Sequence, residues 1–497
     1  LSSTPTGSAT YGPSSNFNYT PITGSSRQMD ELIPHTNVGS GADIGAFEVG
    51  ESWTTGINWT PKFHTTIWKK TAATTDWNTA SNWSTGYVPT SDVHVIIPTG
   101  ATRYPEISNT GAVSKNITVN SSATLTINKG YDLTVAGNFT NRGTVTLNSD
   151  SNEFSSLIIH GTSSGNITYN RYVNSLSGGS GWDLIGSPVY GLQISSFVST
   201  NDAGSSPLAT GNGSGAGASG EYAIGTYNSS NNTWSNYTSA NVSTTQFTPG
   251  KGYQMATDSG GTLEFTGTVD TDATETIAIE DFTDGSGSIW NLISNPYPSF
   301  ITTGPNTTTD TFLEVNDDVI HATYVGVYGY DADNSNGSNY TIYNNSSSAK
   351  IAPGQGFFVA ARSTSSANIT FKEEMQTTST DDDFISGDIM ENIEVELRIY
   401  NNNSVVGNTK LFFDEGLTLG LNPGWDAGSF SQSGPIMTRL VEEDEGHGMA
   451  INAMGLDAME NAVIPLVINQ SAGQEFRINL HTATIPDPNV YLEDVEE

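Results

Sequence analysis

The sequence predicts an all-β, multidomain protein, and three observations support this. Apolar residues alternate with Thr, Ser and Asn in short runs that Gly, Asn, Asp and Pro separate, which is typical of short strands and tight turns. One strand-and-turn phrase occurs twice. The chain has 497 residues, more than one ordinary core, so several domains are expected. The best helical segment is a short turn near Asp457–Asn461.

The composition argues against several classes of function. With 17 basic and 52 acidic residues, the formal net charge is −35. Binding to nucleic acid or to anionic lipid needs clustered Lys and Arg, so neither partner is expected. The absence of cysteine excludes disulfides, zinc–thiolate sites and thiol nucleophiles. No apolar run approaches the ~20 residues of a membrane helix, so membrane insertion is not expected.

The first segment, residues 1–50, is loop-like and begins at Leu1 without an initiator Met. We expect a mature or truncated piece of a longer protein. The segment ends in ADIGAFEVG (Ala42–Gly50), where Asp43–Glu48 resembles the motif that closes many bacterial right-handed parallel β-helix domains. The resemblance implies that residues 1–50 are the terminal part of a parallel β-helix and that 51–70 are a linker.

Residues 71–172 are predicted to form a small β-solenoid or a meander. After the Trp-rich segment Thr74–Pro98, apolar-x-apolar triplets recur about every eight to twelve residues. In each triplet two side chains face one way and the middle one faces the other, which favours strands stacked on strands. A spacer is the simpler interpretation, and an adhesive surface is the alternative. The triplets are Ile117–Val119, Leu125–Ile127, Leu133–Val135, Val145–Leu147, Leu157–Ile159 and Ile167–Tyr169.

Residues 173–280 and 281–379 are predicted to be two copies of one β-sandwich-like unit. Four landmarks recur in the same order: a Trp-x-Leu-Ile-x-x-Pro phrase, an aromatic segment around an Asn-rich loop, a Pro-Gly-x-Gly turn and a closing strand. The copies are Trp182–Pro188 and Trp290–Pro296, Glu221–Trp234 and Thr323–Tyr340, Phe247–Ala256 and Ile351–Ala360, and Leu263–Phe265 and Ile369–Phe371.

The chemistry of these landmarks indicates a scaffold. The Trp of each phrase is expected in the core, and the Pro ends strand pairing because it has no N–H to donate. Pro-Gly-x-Gly predicts a type II turn in which the first Gly takes a positive φ. The Gly-rich run Gly211–Gly220 is interpreted as a flexible loop.

Taken in order, the Trp-rich segment, the short repeats, the two units and the stretch Leu417–Phe430 resemble the C-terminal region of large secreted Bacteroidetes (Flavobacteria-like) proteins that the type IX secretion system exports. The resemblance spans about 70–497. The resemblance implies a jelly-roll-like β-sandwich at 393–497, and the acidic run Thr380–Phe384 predicts a linker before it at 380–392. That sandwich is incomplete, because the family's sorting domain does not follow Glu497.

The resemblance also implies a location and a partner. The protein is expected to be secreted to the cell surface of a Gram-negative bacterium. The type IX machinery is the expected export partner, through the missing C-terminal domain.

No catalytic group of residues is expected. The seven histidines lack metal-ligand spacing, no Ser lies in a nucleophile elbow, and no HExxH motif occurs. We therefore expect no enzyme activity, although carboxylates that meet only in space leave no trace in a sequence.

One loop, Asp331–Gly337, is a candidate calcium site. Its sequence DADNSNG places oxygen ligands at alternate positions, as in loops that wrap Ca²⁺, but it departs from the EF-hand pattern. A plain polar hairpin turn is the alternative. No other cofactor is expected, and the candidate ligands are Asp331, Asp333, Ser335 and Asn336.

Aromatic residues flank Asn-rich loops at matching places in the two units. Exposed rings beside Asn and Asp are suited to stacking on sugars, whereas the alternative is packing over sheet edges. The candidate ligand-binding residues are Trp234, Tyr237, Tyr328, Tyr330, Tyr340 and Tyr343.

The sequence therefore predicts a non-catalytic region of a secreted surface protein. It would act as an adhesin stalk or spacer that binds a polysaccharide or a cell-surface glycan. Two alternatives remain: the accessory C-terminal region of a secreted polysaccharide-degrading β-helix enzyme, and a carbohydrate-binding module.

Overall fold

The computed structural model describes residues 64–176, 181–201, 221–242, 245–305, 310–330, 340–379, 387–388, 393–484 and 490–493. Over these ranges the chain is all-β, with several sheets and no long helices, which confirms the predicted fold class. No helix in the described ranges has the length and apolar character that crossing a membrane requires. The β-helix end predicted at 1–50 lies outside the described residues.

The first twelve strands form a β-solenoid-like arrangement of about three turns. Their orders are β1-β2-β5-β8-β11, β4-β7-β10 and β3-β6-β9-β12, all with parallel pairing. The strands are β1 (Thr65–Ile67), β2 (His94–Ile97), β3 (Glu106–Ile107), β4 (Ala112–Ser114), β5 (Ile117–Val119), β6 (Thr124–Ile127), β7 (Asp132–Val135), β8 (Phe139–Asn141), β9 (Thr144–Asn148), β10 (Ser156–Ile159), β11 (Ser163–Ser164) and β12 (Asn166–Val173).

All six predicted triplets lie in these strands, in β5, β6, β7, β9, β10 and β12. Three strands make one coil, so each strand pairs with a strand one coil away: Leu125 lies beside Val145, and Leu133 beside Leu157. This pairing decides in favour of the solenoid over the meander.

Three tryptophans close one end of the solenoid. Trp83 packs edge-to-face against Trp68 and Trp77, with ring centroids 5.0 and 4.8 Å apart. All three are fully buried. A stack of strands needs such a cap because its last coil has no neighbour to cover its core.

The first repeated unit forms a four-stranded sheet of order β13-β16-β14-β15, and its last strand, β17, pairs antiparallel with β12 of the solenoid. A short helix, α1, packs beside β17. The elements are β13 (Asp183–Ile185), α1 (Ile194–Asn201), β14 (Glu221–Asn228), β15 (Thr233–Thr238), β16 (Tyr253–Met255) and β17 (Gly261–Thr268).

The second unit repeats this topology with the sheet β19-β24-β21-β22. β18 lies in the range predicted for the first unit but pairs with β25 of the second, as β12 pairs with β17. The elements are β18 (Thr274–Ile279), β19 (Trp290–Ser294), β20 (Phe300–Thr302), α2 (Phe312–Asn316), β21 (Val327–Tyr330), β22 (Tyr340–Tyr343), β23 (Ser348–Ile351), β24 (Gly356–Ala360), β25 (Ala367–Lys372) and β26 (Gln376–Thr377).

The helix of each unit ends on an asparagine that ties it to the closing strand. The Asn201 amide donates to the carbonyls of Phe197 and Glu264 and accepts from the Glu264 N–H. Asn316 makes the same three bonds with Phe312 and Thr370. The duplication therefore extends beyond the four landmarks to the helices α1 and α2.

The two units contact each other reciprocally, as if across a local two-fold axis. Gly186 follows the Leu-Ile pair of the first unit, and its N–H donates to the carbonyl of Gly354, in the Pro-Gly-x-Gly turn of the second unit, at 2.7 Å. The equivalent Ser294 N–H donates to the Gly250 carbonyl at 2.8 Å. Two isolated bridges are equally reciprocal: Ile185 to Gln355, and Ile293 to Lys251.

These contacts explain why both turns read Pro-Gly-x-Gly. The first glycines, Gly250 and Gly354, have φ values of 70° and 65°, which agrees with the predicted turn. The second glycines, Gly252 and Gly356, leave no room for a side chain. A Cβ on Gly356 would lie 2.7 Å from the Leu184 carbonyl carbon, and one on Gly252 would lie 2.7 Å from the Ile293 oxygen.

The C-terminal strands from 393 onward belong to one mixed sheet of seven strands, of which β29 and β32 are parallel neighbours. The predicted helical turn is present as α3. The elements are β27 (Gly387–Asp388), which pairs with β23, and β28 (Ile393–Asn401), β29 (Ser404–Asp414), β30 (Ala427–Gly428), β31 (Ile436–Thr438), β32 (Met449–Gly455), α3 (Ala458–Asn461), β33 (Leu466–Ile468) and β34 (Arg477–Ala483).

The cores do not follow the sequence repeat. One continuous core runs from Trp68 in the solenoid to Val269 in the first unit and includes Phe197 and Phe265. The second unit has its own core around Phe312 and Phe371. The first unit is therefore joined to the solenoid by packing as well as by strand pairing.

Candidate functional site

An aromatic cluster joins the two units and the C-terminal sheet. It begins at the β14–β15 hairpin, crosses one face of the sheet β19-β24-β21-β22 and ends at a loop of the C-terminal region. Its members are connected by ring contacts, and they are Tyr227, Trp234, Trp290, Tyr324, Tyr328, Tyr330, Tyr340, Phe358 and Phe430.

The first unit supplies Tyr227 and Trp234, which are cross-strand partners in the hairpin. Their ring centroids lie 5.2 Å apart, and Trp234 remains 40% exposed. The Tyr227 hydroxyl donates to the Asn232 side chain at 2.7 Å, and burial raises the pKa of Tyr227. An exposed indole is thus held in place by a neighbouring ring that is itself fixed.

The second unit and the C-terminal region supply the other end of the cluster. Phe430 stacks on Tyr340 with centroids 4.0 Å apart and an interplanar angle of 17°. Tyr330 meets Tyr340 edge-on at 5.4 Å. We call the half-buried and exposed rings, Tyr227, Trp234, Tyr330, Tyr340 and Phe430, the aromatic rim.

Buried rings support the rim from beneath. Trp290 packs on Phe430 at 4.4 Å and on Tyr328 at 4.6 Å, while Phe358 lies between Tyr227 and Phe430. These support rings are buried, and the Tyr328 hydroxyl donates to the Gly428 carbonyl at 2.8 Å. The rim therefore rests on a packed base rather than on loops alone.

The structure brings together four of the six predicted aromatic residues: Trp234, Tyr328, Tyr330 and Tyr340. Tyr328 is fully buried and presents no ring face to solvent. The other two, Tyr237 and Tyr343, lie on the faces of their sheets that are turned away from the aromatic cluster. Tyr237 packs against the shared core, where burial and Tyr253 raise its pKa to about 12, and Tyr343 packs against the core of the second unit.

The predicted calcium ligands, Asp331, Asp333, Ser335 and Asn336, lie outside the described residues. Among the residues that the structure does describe, no group of three or more His, Asp or Glu side chains could hold a metal ion.

Two histidines border the base of the cluster where the second unit meets the C-terminal sheet. His447 Nδ1 lies 3.2 Å from the Tyr324 hydroxyl, and His321 Nδ1 accepts from the Thr323 N–H at 3.3 Å. Burial and the nearby His447 lower the pKa of His321. A neutral His321 fits this acceptor role, so the pair serves the packing of Tyr324.

One buried carboxyl nearby is also structural. Asp426 accepts hydrogen bonds from the Asn422 and Ala453 N–H groups, each at 2.6 Å. Burial raises the pKa of Asp426 to about 6, against the effect of these bonds. These two bonds fasten the Leu417–Phe430 loop to β32. Because Asp426 is fully buried, it does not face the rim.

The rim combines apolar ring faces with neighbouring polar groups. Rings such as Trp234 and Tyr340 offer apolar faces, and the neighbouring Asn232 and Ser230 offer amide and hydroxyl groups. Aromatic side chains with a polar edge suit ligands that are apolar on one side and hydrated on the other. Sugar rings have this character.

Sequence reasoning missed Tyr227 and Phe430. Tyr227 could have been found from the hairpin register, which places it opposite Trp234. Phe430 carried no such signal, because it comes from a different part of the chain and reaches the rim only in the folded protein.

Comparison with known proteins identified a family. A family model described as "Domain of unknown function (DUF8693)" matches residues 67–497. No curated protein and no solved structure matched the chain. The family match covers the solenoid, both units and the C-terminal sheet, so the chain belongs to the family of this domain of unknown function (DUF8693).

Proposed function

We propose that this chain is a non-catalytic binding and spacer region of a secreted bacterial surface protein, and that its aromatic rim binds a polysaccharide or cell-surface glycan. The solenoid and the two interlocked units are the spacer. The observation that carries the proposal is Trp234, which is 40% exposed yet packed against Tyr227 and the buried Phe358.

An exposed tryptophan on a rigid base favours recognition over simple packing. Ordering a side chain costs conformational entropy on binding, and a ring that is already fixed avoids much of this cost. The stacked pair Tyr340 and Phe430 gives the same advantage at the other end of the rim. A ligand that spans both ends would be an extended chain rather than a single sugar.

The acidic charge also limits the ligand. With a net charge of −35, the chain would repel strongly anionic polysaccharides, so the proposal favours neutral glycans. The same charge keeps a secreted protein soluble in a salty exterior. Secretion and surface location remain part of the proposal, on the resemblance of residues 70–497 to exported proteins.

A glycan array with the purified chain tests the binding. We expect neutral polysaccharides among the ligands, and roughly two- to twelvefold weaker binding by Trp234→Ala, because one ring-stacking contact is worth about 0.5–1.5 kcal/mol. The matched control is Phe476→Ala, which removes a ring of similar exposure, 43%, far along the chain.

Two results would contradict the proposal. The first is an intact chain that binds no glycan on the array. The second is equal weakening by Trp234→Ala and Phe476→Ala. Release of reducing ends from a bound polysaccharide would instead support the alternative of an enzyme.

A further inference from the structure

The outer face of one solenoid sheet forms a regular surface that the aromatic rim does not use. On β6, β9, β12 and β17 the apolar residues point into the core, so the alternate residues point outward. The strand registers align these residues in columns. We call them the hydroxyl face, and its columns are Thr124, Thr144, Asn166 and Thr268; Thr126, Thr146, Thr168 and Thr266; and Asn128, Asn148, Asn170 and Glu264.

The side chains of this face are held in fixed positions. Threonine is branched at Cβ, which restricts its χ1 rotamers in a strand. The Thr168 and Thr266 hydroxyls are hydrogen-bonded at 2.8 Å, which continues the middle column from the parallel solenoid strands onto β17. The Asn170 amide donates to Asn148 at 2.9 Å, and Asn128 donates to the Ser108 hydroxyl at 2.7 Å.

The centre of the hydroxyl face is uncharged in a strongly acidic chain. The whole chain carries a net charge of −35, yet the first two columns contain only Thr and Asn. The carboxylates stand at the edges: Glu264 ends the third column on β17, and Glu106 of β3, the register partner of Thr126, ends the second column on the other side. Charged partners would gain nothing from such a surface, so its partner is expected to be neutral and rich in hydrogen-bonding groups.

The spacing of the face is two-dimensional. Neighbouring strands lie about 4.8 Å apart, and alternate residues along a strand lie about 6.6 Å apart. A hydroxyl that binds a soluble ligand exchanges a hydrogen bond to water for one to the ligand, so the net gain of each bond is small. Useful affinity therefore requires a rigid partner that meets many hydroxyls at once.

We infer that the hydroxyl face binds the surface of ice. Ice presents neutral O–H groups in a rigid two-dimensional lattice whose spacings are of the same size as those of the face. Each threonine offers a hydroxyl that can take a lattice position and a methyl group that fits between positions. A soluble glycan is a less suitable partner, because the three columns contain no aromatic ring on which a sugar would stack.

The test is partition of the purified chain into slowly growing ice. We expect wild type to be enriched in the ice fraction, and Thr146→Lys to be enriched at least tenfold less, because a hydrated ammonium group in the middle column prevents close contact. The matched control is Thr140→Lys, which places the same charge at an outward, half-buried position of β8 on another sheet of the solenoid. This control is expected to partition as wild type does.

Equal melting temperatures of the two variants show that folding is not the cause of any difference. Exclusion of wild type from ice would overturn the inference, and so would equal loss in Thr146→Lys and Thr140→Lys. Binding of wild type to insoluble polysaccharide, lost in Thr146→Lys and without enrichment in ice, would assign the face to a polysaccharide instead. Trp234→Ala should leave ice partition unchanged, so this test is independent of glycan binding by the rim.

Discussion

Gly356 and its counterpart Gly252 show how the lack of a side chain fixes a contact between two units. Each lies directly against the Leu-Ile strand of the other unit, and backbone atoms occupy part of the space that a Cβ would need. A backbone atom cannot move aside as the end of a flexible side chain can. The contact therefore depends on glycine at both positions.

Replacing Gly356 by Ala should destabilise the protein by about 1–3 kcal/mol, because the new methyl group would force the two units apart. The measurement is the free energy of unfolding in urea. Gly285→Ala is the control, since the nearest atom to its Cβ would be the Phe282 carbonyl oxygen at 3.7 Å. An unchanged urea midpoint for Gly356→Ala would show that the close approach is not needed.

The residue scale also shows what sequence reasoning could reach at the site. Trp234, Tyr330 and Tyr340 flank Asn-rich loops, which predicts a shared site, and they lie together in the fold. Tyr237 and Tyr343 flank the same loops, but strand alternation turns them to the opposite faces of their sheets. The face on which each ring lies depends on strand register, and a position beside a loop does not determine that register.

At the scale of elements, the sequence predicts the triplet strands and the helical turn α3, but not helices α1 and α2. Each apolar-x-apolar triplet became a strand because its two apolar side chains enter one core. Helices α1 and α2 have only eight and five residues, too few turns for a helical period to stand out. They form because packing and the bonds of Asn201 and Asn316 hold them.

Asn316→Ala should therefore release helix α2 from strand β25. The Phe312 and Thr370 carbonyls and the Thr370 N–H would lose their partner, and we expect a loss of about 1–3 kcal/mol. Chemical unfolding measures it. Asn368→Ala is the matched control, because Asn368 is exposed on the same strand. Equal unfolding midpoints for the two variants would contradict this role of Asn316.

On the scale of the whole molecule, the repeat in the sequence and the division of the core differ. The sequence shows two equivalent units, and the fold confirms their common topology. The main core of the solenoid nevertheless continues into the first unit, whereas the second unit meets the solenoid through a small cluster of Phe154, Phe300 and Ala352. No periodicity in the sequence reveals this, because it depends on which unit receives the last solenoid strand, β12.

The shared core predicts different effects for two equivalent phenylalanines. Phe265→Ala should destabilise by about 3–5 kcal/mol and lower hydrogen-exchange protection in the solenoid strands β6 and β9 as well as in the first unit. Phe371→Ala removes the equivalent ring from the second core and should leave β6 and β9 protected. Hydrogen exchange read by mass spectrometry measures both. If β6 and β9 stayed fully protected in both variants, the solenoid would be energetically independent of the first unit.

The reciprocal contact between the units has a consequence for the history of the chain. A protein with one such unit would carry a self-complementary surface, and two copies would pair through it as a symmetric dimer. Joining the copies in one chain makes that pairing independent of protein concentration. It also frees the two sides to differ: Gly186 and Ser294 are equivalent, and a Cβ on Gly186 would overlap the Ser294 hydroxyl. A dimer of identical units has to place the same residue on both sides of its axis, so a small residue opposite a larger one became available only after duplication.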